Sequence, residues 1–190
     1  MAHEAHEGDQ ARQTVSRRRF LRLGIVGGLL VSTGSLVAYV RTRGYVLDAE
    51  RARRLKALSP WHVIVVEHAA RRIAAADAPE DASIPSADDT DVAGFVDGYV
   101  AKLPSDMRTD LLRFLAVLEH VAPLAQGYGT RFSRLPAADQ DRVLTSLEQS
   151  STLLLRAGFE GLKSLVFMGY YRDPRTWKIL GYPGPWVNRP

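Results

Sequence analysis

Apolar residues recur at intervals of three and four over most of this chain. Val92, Phe95, Val96, Tyr99, Val100 and Leu103 fall at i, i+3, i+4, i+7, i+8 and i+11, the spacing that lines one face of an amphipathic helix. Before them, Ser59-Pro60 offers an N-cap followed by a first-turn proline. The segment behind it, to about Ala76, sets Trp61, Val65, Ala69 and Ile73 on one stripe. Residues 77–89 are rich in Ala, Asp, Pro and Ser and carry no period, which predicts an acidic surface loop. Ser105 caps a further predicted helix with Leu111, Leu115, Leu118 and Ala122 on one face until Pro123 interrupts it. Residues 127–130 read as a loop. Leu135-Pro136 then opens a helix with Val143, Leu144 and Leu147 inward. A long helix is expected over about 151–171, with Leu155, Phe159, Leu162, Val166 and Gly169 on one side. No stretch sustains an alternation of period two. The pattern predicts an all-α bundle of five or six helices with no internal repeat.

The N-terminal part follows another rule. Residues 23–40 contain no charged side chain, but Gly24, Gly27, Gly28 and Gly34 dilute their hydrophobicity. Ahead of them stands Ser16-Arg17-Arg18-Arg19-Phe20-Leu21-Arg22. This matches the twin-arginine export pattern S-R-R-x-F-L-K at six of seven positions, and Arg22 keeps the charge at the last. Ser16, Arg17, Arg18, Phe20 and Leu21 are the expected recognition residues for the twin-arginine translocase. As a helix, eighteen residues would span about 27 Å, close to the roughly 30 Å hydrocarbon core of a bilayer. The nearest cleavage candidate, Leu36-Val37-Ala38, has a bulky residue where a small one is preferred. Removal of the leader and retention as a membrane anchor both stay open. The division expected is 1–43 leader or anchor, 44–58 basic linker and helix start, and 59–190 helical domain.

The sequence has 190 residues, so removing the leader leaves one domain of ordinary size. With no cysteine, disulfides, thiolate metal sites and C-x-x-C-H haem attachment are excluded. The basic pI of about 9.6 is a property of the N-terminal part. Residues 1–56 carry a formal charge of +6 and residues 57–190 carry −2. The domain therefore lacks the clustered cations of a phosphate-binding face, and no nucleic-acid partner is expected.

Candidate chemistry is sparse. His62 and His68 are six apart and diverge around a helix; His120 adjoins Glu119 near a helix end, and His3 and His6 precede the export pattern. No H-x-x-x-H or H-E-x-x-H spacing occurs, nor a G-x-S-x-G elbow, a Walker loop or a dinucleotide loop. Glu67 and His68 read as a solvated carboxylate and a half-buried ring. No catalytic, cofactor-binding or metal-ligating residue is assigned to this chain.

The densest segment is the C-terminal one. Asp173-Pro174 reads as an N-cap with a first-turn proline, Gly181 suits a left-handed C′ position, and Pro183 stops the helix restarting. Residues 169–186 hold five of the sixteen aromatics: Tyr170, Tyr171, Trp177, Tyr182 and Trp186. Tyr, Trp and Arg anchor protein interfaces, so Tyr170, Tyr171, Asp173, Pro174, Trp177, Tyr182 and Trp186 are candidate partner contacts. The other reading is that they fold back and seal the bundle. Both hold together if Tyr170 and Trp177 point inward while Tyr182 and Trp186 point outward.

The runs Gly169-Tyr170-Tyr171-Arg172-Asp173-Pro174 and Leu180-Gly181-Tyr182-Pro183-Gly184-Pro185 resemble the ending of the gluconate 2-dehydrogenase subunit 3 family, G-[YF]-Y-x-D-P…G-Y-x-G. Leu58-Ser59-Pro60 and Phe132-Ser133-Arg134-Leu135 add weaker support. The resemblance covers about residues 55–186. It implies a non-catalytic small subunit bound to a large FAD-containing subunit of the glucose–methanol–choline oxidoreductase type. In that family a cytochrome c subunit often receives the electrons. The small subunit supplies the export signal for a partner that lacks one, which places the complex in the periplasm or on the outer face of the cytoplasmic membrane. The substrate class implied is a sugar, sugar acid or alcohol. The rival readings are a stand-alone envelope protein anchored by residues 23–40 that binds a small ligand in its bundle, and an enzyme whose residues meet only in the fold.

Overall fold

The computed structural model describes residues 44–74 and 83–184. The expected leader, with Ser16, Arg17, Arg18, Phe20, Leu21 and the apolar run 23–40, lies outside the described residues, as does Trp186. The described part is all-α, with seven α-helices: α1 Ala49–Arg53, α2 Pro60–Ile73, α3 Val92–Val100, α4 Ser105–Ala116, α5 Ala122–Ala125, α6 Ala137–Glu148 and α7 Leu153–Tyr171. Five are long, and α1 and α5 are single turns. Short 3₁₀ turns at Phe132–Arg134 and Pro174–Leu180 complete the chain. Among the described residues no helix is long and apolar enough to cross a membrane.

The core forms where the stripes meet. α2 packs on α3, α4, α6 and α7, and α7 on α3, α4 and α6. Val65, Val66 and Ala69 of α2, Val96 and Val100 of α3, Leu115 of α4, Val143 of α6 and Leu162 and Val166 of α7 are fully or almost fully buried. Two glycines let α7 approach closely. A Cβ on Gly158 would overlap the Phe114 ring of α4, and one on Gly169 would stand 3.0 Å from Phe95 of α3.

Several expectations change in detail. Within residues 44–58, expected as basic linker and helix start, Leu58 is buried, Leu47 and Leu55 are half-buried, and Asp48 caps α1 through the Glu50 and Arg51 amides. The turn between α1 and α2 is tied to α3, because the buried Asp97 carboxylate accepts from the amides of Lys56, Ala57 and Leu58 at 2.8–2.9 Å. The supposed surface loop is not all surface. Pro85, Ala87 and Thr90 are buried, since the Pro85 carbonyl accepts from the Tyr170 hydroxyl at 2.9 Å; residues 77–82 lie outside the described part. Pro104 occupies the N-cap position of α4 without a side-chain capping bond, and Ser105 is the first helical residue. α7 begins at Leu153 after Thr152, two residues later than the pattern predicts.

Pro123 does not end its helix. The chain passes from α4 through a π-turn, Val117–Val121, directly into α5. A proline ring cannot donate and collides with the carbonyl four residues back, and widening the preceding turn relieves that collision.

Candidate partner-docking surfaces

The C-terminal segment folds back on the bundle. Asp173 caps the 3₁₀ turn through the Arg175 amide, and Arg175 holds its carboxyl down at about 2. Gly181 takes the left-handed conformation, φ 61°. Tyr170 is 2 % exposed. The Trp177 indole N–H donates to the Tyr171 carbonyl at 2.7 Å, and the Trp177 ring meets Tyr182 edge-on at 5.2 Å. Tyr171 and Asp173 are half-buried, Pro174 is exposed, and Tyr182 is 42 % exposed. The six described ones among the predicted partner residues are thus brought together, with most of their surface turned toward their own bundle. Pro174 and Tyr182 are the ones that face out.

A larger apolar surface lies elsewhere. α4 and α7 splay above their contact at Phe114 and Gly158 and leave a groove of about 570 Å³. Its floor holds Gly158, Gly161 and Leu165, and its rims are Met107 on α4 and Leu154 and Met168 on α7. Those rim residues are 54 %, 75 % and 44 % exposed. Asp110 and Arg113 are the formally charged residues in the lining, and they pair with each other at 3.3 Å.

A cluster of buried polar groups sits at the π-turn. Glu119 is fully buried. Its carboxylate accepts from the Tyr45 hydroxyl, from the Ser133 hydroxyl at 2.6 Å and from the Ser133 amide at 3.0 Å. Arg131 approaches it at 3.5 Å, stacks on the Tyr45 ring at 3.7 Å and donates to the Gly44 carbonyl at 3.2 Å. Burial pushes the Glu119 carboxyl upward, against the pull of the Ser133 and Tyr45 donors and the Arg131 charge. Burial, with the Glu119 bond, also raises the Tyr45 phenol, which keeps it a donor. Trp61 lies 6.3 Å from Tyr45 and 5.8 Å from His120, and stacks on His62 at 3.7 Å. Because residues 44–45 are held this way, the knot fastens the start of the described chain to its middle.

Other titratable candidates are paired structurally. Glu67 is not solvated: it binds Arg51 at 2.5 Å. His68 meets the Gln140 amide at 3.0 Å. Among the described residues no three His, Cys, Asp or Glu side chains converge as a metal site.

The family described as gluconate 2-dehydrogenase subunit 3 matches residues 64–184. The chain belongs to the gluconate 2-dehydrogenase subunit 3 family. The match runs from within α2 to the end of the C-terminal turn, so it takes in the groove, Glu119, Arg131 and the aromatic segment. The strap with Tyr45 precedes it. No curated protein and no solved structure matches. Membership as a subunit 3 implies a multi-subunit dehydrogenase. Sequence reasoning missed the partners of Asp97 and Glu119; the adjacency of Glu119 to His120 within an apolar helical run was the available signal.

Proposed function

We propose that this chain is the non-catalytic small subunit of an exported FAD-dependent dehydrogenase, carrying its large partner through the twin-arginine route and staying bound to it. The observation that carries the reading is the family match over residues 64–184. The Ser16–Leu21 pattern supports the export role, with Arg17 and Arg18 engaging the translocase. The flavin belongs to the partner. A dinucleotide needs cations or open amides for its pyrophosphate, whereas the groove offers only Arg113, already paired with Asp110. The partner is a glucose–methanol–choline type flavoprotein acting on a sugar, sugar acid or alcohol, and a cytochrome c subunit takes its electrons. Pro174 and Tyr182 add to the contact from the C-terminal segment. The complex works in the periplasm or on the outer membrane face, whether or not residues 23–40 are retained.

The test is to tag the C-terminus, purify from the native envelope and compare the chain with one carrying Arg17→Lys and Arg18→Lys. The expected result is a larger chain in roughly equal amount with flavin absorption, lost from the envelope fraction in the substituted strain. A solitary, colourless chain after mild extraction would refute the reading.

A further inference from the structure

The groove between α4 and α7 is apolar and open to the outside, and none of the described elements fills it. We infer that it receives an α-helix of the catalytic subunit, laid along α7 with an uncharged apolar face inward. This rests on the small-subunit reading above and names the surface and the partner element for it.

Three observations choose that occupant. The first is charge. Asp110 and Arg113 are the formally charged residues of the groove's lining, and they pair with each other at 3.3 Å. A surface that meets anionic lipid carries unpaired Lys and Arg at its rim, and one that meets an acidic peptide carries them within; a neutral groove complements an uncharged face. The second is length. From Leu154 to Met168 the floor and rims of α7 follow the groove for fourteen residues, about 21 Å or four helical turns. Anchors at i, i+3, i+4 and i+7 take up about 10.5 Å, so the groove is long enough for two such sets on one helix. The third is depth. Gly161 is exposed, and a Cβ built there meets nothing within 4 Å. Backbone can therefore come close to backbone at the centre of the groove, flanked by Met107 and Met168, whose flexible side chains adapt to a partner. The C-terminal aromatics compete poorly for this role, because Tyr170 and Trp177 already satisfy their polar atoms and bury their rings on their own chain.

The same open space supplies a clean test. Gly161→Glu puts bulk and charge in the groove without touching the fold, and replacing an exposed mid-helix glycine adds helix propensity. Separated from the larger chain, the tagged full-length Gly161→Glu chain should keep the circular dichroism of the wild-type small chain separated in the same way, with a melting temperature at or above it. Before that separation, as purified from the native envelope, its flavin absorbance per tagged chain should drop at least tenfold. Leu154→Glu at the exposed rim should act alike, and Gly161→Ala should retain most of the flavin. Wild-type flavin content in both glutamate variants would overturn the inference and leave the small-subunit reading standing. Absence of flavoprotein from the wild-type preparation would remove that reading, and this inference with it. Two further results would overturn it in favour of other occupants. One is a wild-type dimer in solution that Gly161→Glu makes monomeric. The other is an apolar small molecule extracted from wild type and absent from Gly161→Glu, with flavoprotein retained in both.

Discussion

At the π-turn that follows α4, a carboxylate and a guanidinium lie inside the protein with a half-buried phenol against them; along α4 itself and the facing side of α7, Met107, Leu154 and Met168 lie outside it. The two regions are neighbours in sequence and opposite in polarity. Burying Glu119 requires that its acceptor oxygens be met, and Tyr45, Ser133 and Arg131 meet them from two distant parts of the chain. The knot is closed within the described fold. The groove is not: its exposed apolar surface forgoes about 25 cal/mol for each Å² left in water, and no element of the described chain covers it. Polarity turned inward here fastens the chain to itself, while apolarity turned outward is a surface for something else.

Breaking the closed side should have the largest effect. Glu119→Ala leaves Arg131, the Tyr45 hydroxyl and the Ser133 amide without their shared acceptor. Removing one member of a buried charged set costs about 3–5 kcal/mol, so urea unfolding should show a loss near 4 kcal/mol. Tyr45→Phe, which removes one donor and keeps the ring under Arg131, should lose only about 1–2 kcal/mol. A loss under about 1 kcal/mol for Glu119→Ala would mean that the knot is not what fastens residues 44–45.

The aromatic flank of the same knot gives a pH test. Burial lowers the His62 imidazole from 6.5 to about 4, and its Nδ1 stands 2.7 Å from the Ser59 hydroxyl and 3.2 Å from the Ser59 amide. The folded state then binds fewer protons than the unfolded one between those values. Stability from the neutral ring is present above about 6.5 and is lost as the pH falls toward about 4. Glu119 has the opposite sign, because its raised carboxyl takes up a proton more readily when folded and favours the folded state as pH falls. The useful quantity is therefore the stability difference between wild type and His62→Gln. It should shrink by about 2 kcal/mol from pH 7 to pH 4.5. A difference that stays constant across that range would place His62 in a solvated setting.

The helices were legible in the sequence because each has one wet face, and the period of 3.6 records it directly. Asp173-Pro174 and Gly181 were legible as caps for a related reason: their chemistry is local, completed within two or three residues. Asp97 and Glu119 were not. Each is completed by groups about 40 or 74 residues away, and nothing in a helical stripe marks which polar residue turns inward. The π-turn was hidden as well, since Pro123 predicts a break and only the surrounding packing decides between stopping and widening. The groove was hidden for the converse reason. Met107 extends the stripe of its helix and no stripe says whether a neighbour covers it, while Leu154 and Met168 stand off the α7 stripe on a face that Gly158 and Gly161 leave bare.

Two glycines three residues apart on α7 separate the packed side of this comparison from the open side. Gly158 is where α7 touches α4, and a methyl group there would run into Phe114, a ring 7 % exposed and unable to swing into solvent without opening the core. Gly161 is a turn further on, in the floor of the groove, where a Cβ would meet nothing within 4 Å. Intrinsic helix propensity favours alanine over glycine by about 1 kcal/mol at both positions, so only the surroundings can make them differ. Gly158→Ala should lose about 1–3 kcal/mol through overpacking, less whatever propensity returns. Gly161→Ala should gain about 0.5–1 kcal/mol, the smallest effect and the one of opposite sign. Urea unfolding of the two variants beside wild type decides it. Equal and favourable changes would mean that α4 and α7 part at Phe114 too, so that the groove has no floor. Equal and unfavourable changes would mean that something in the isolated chain already fills it.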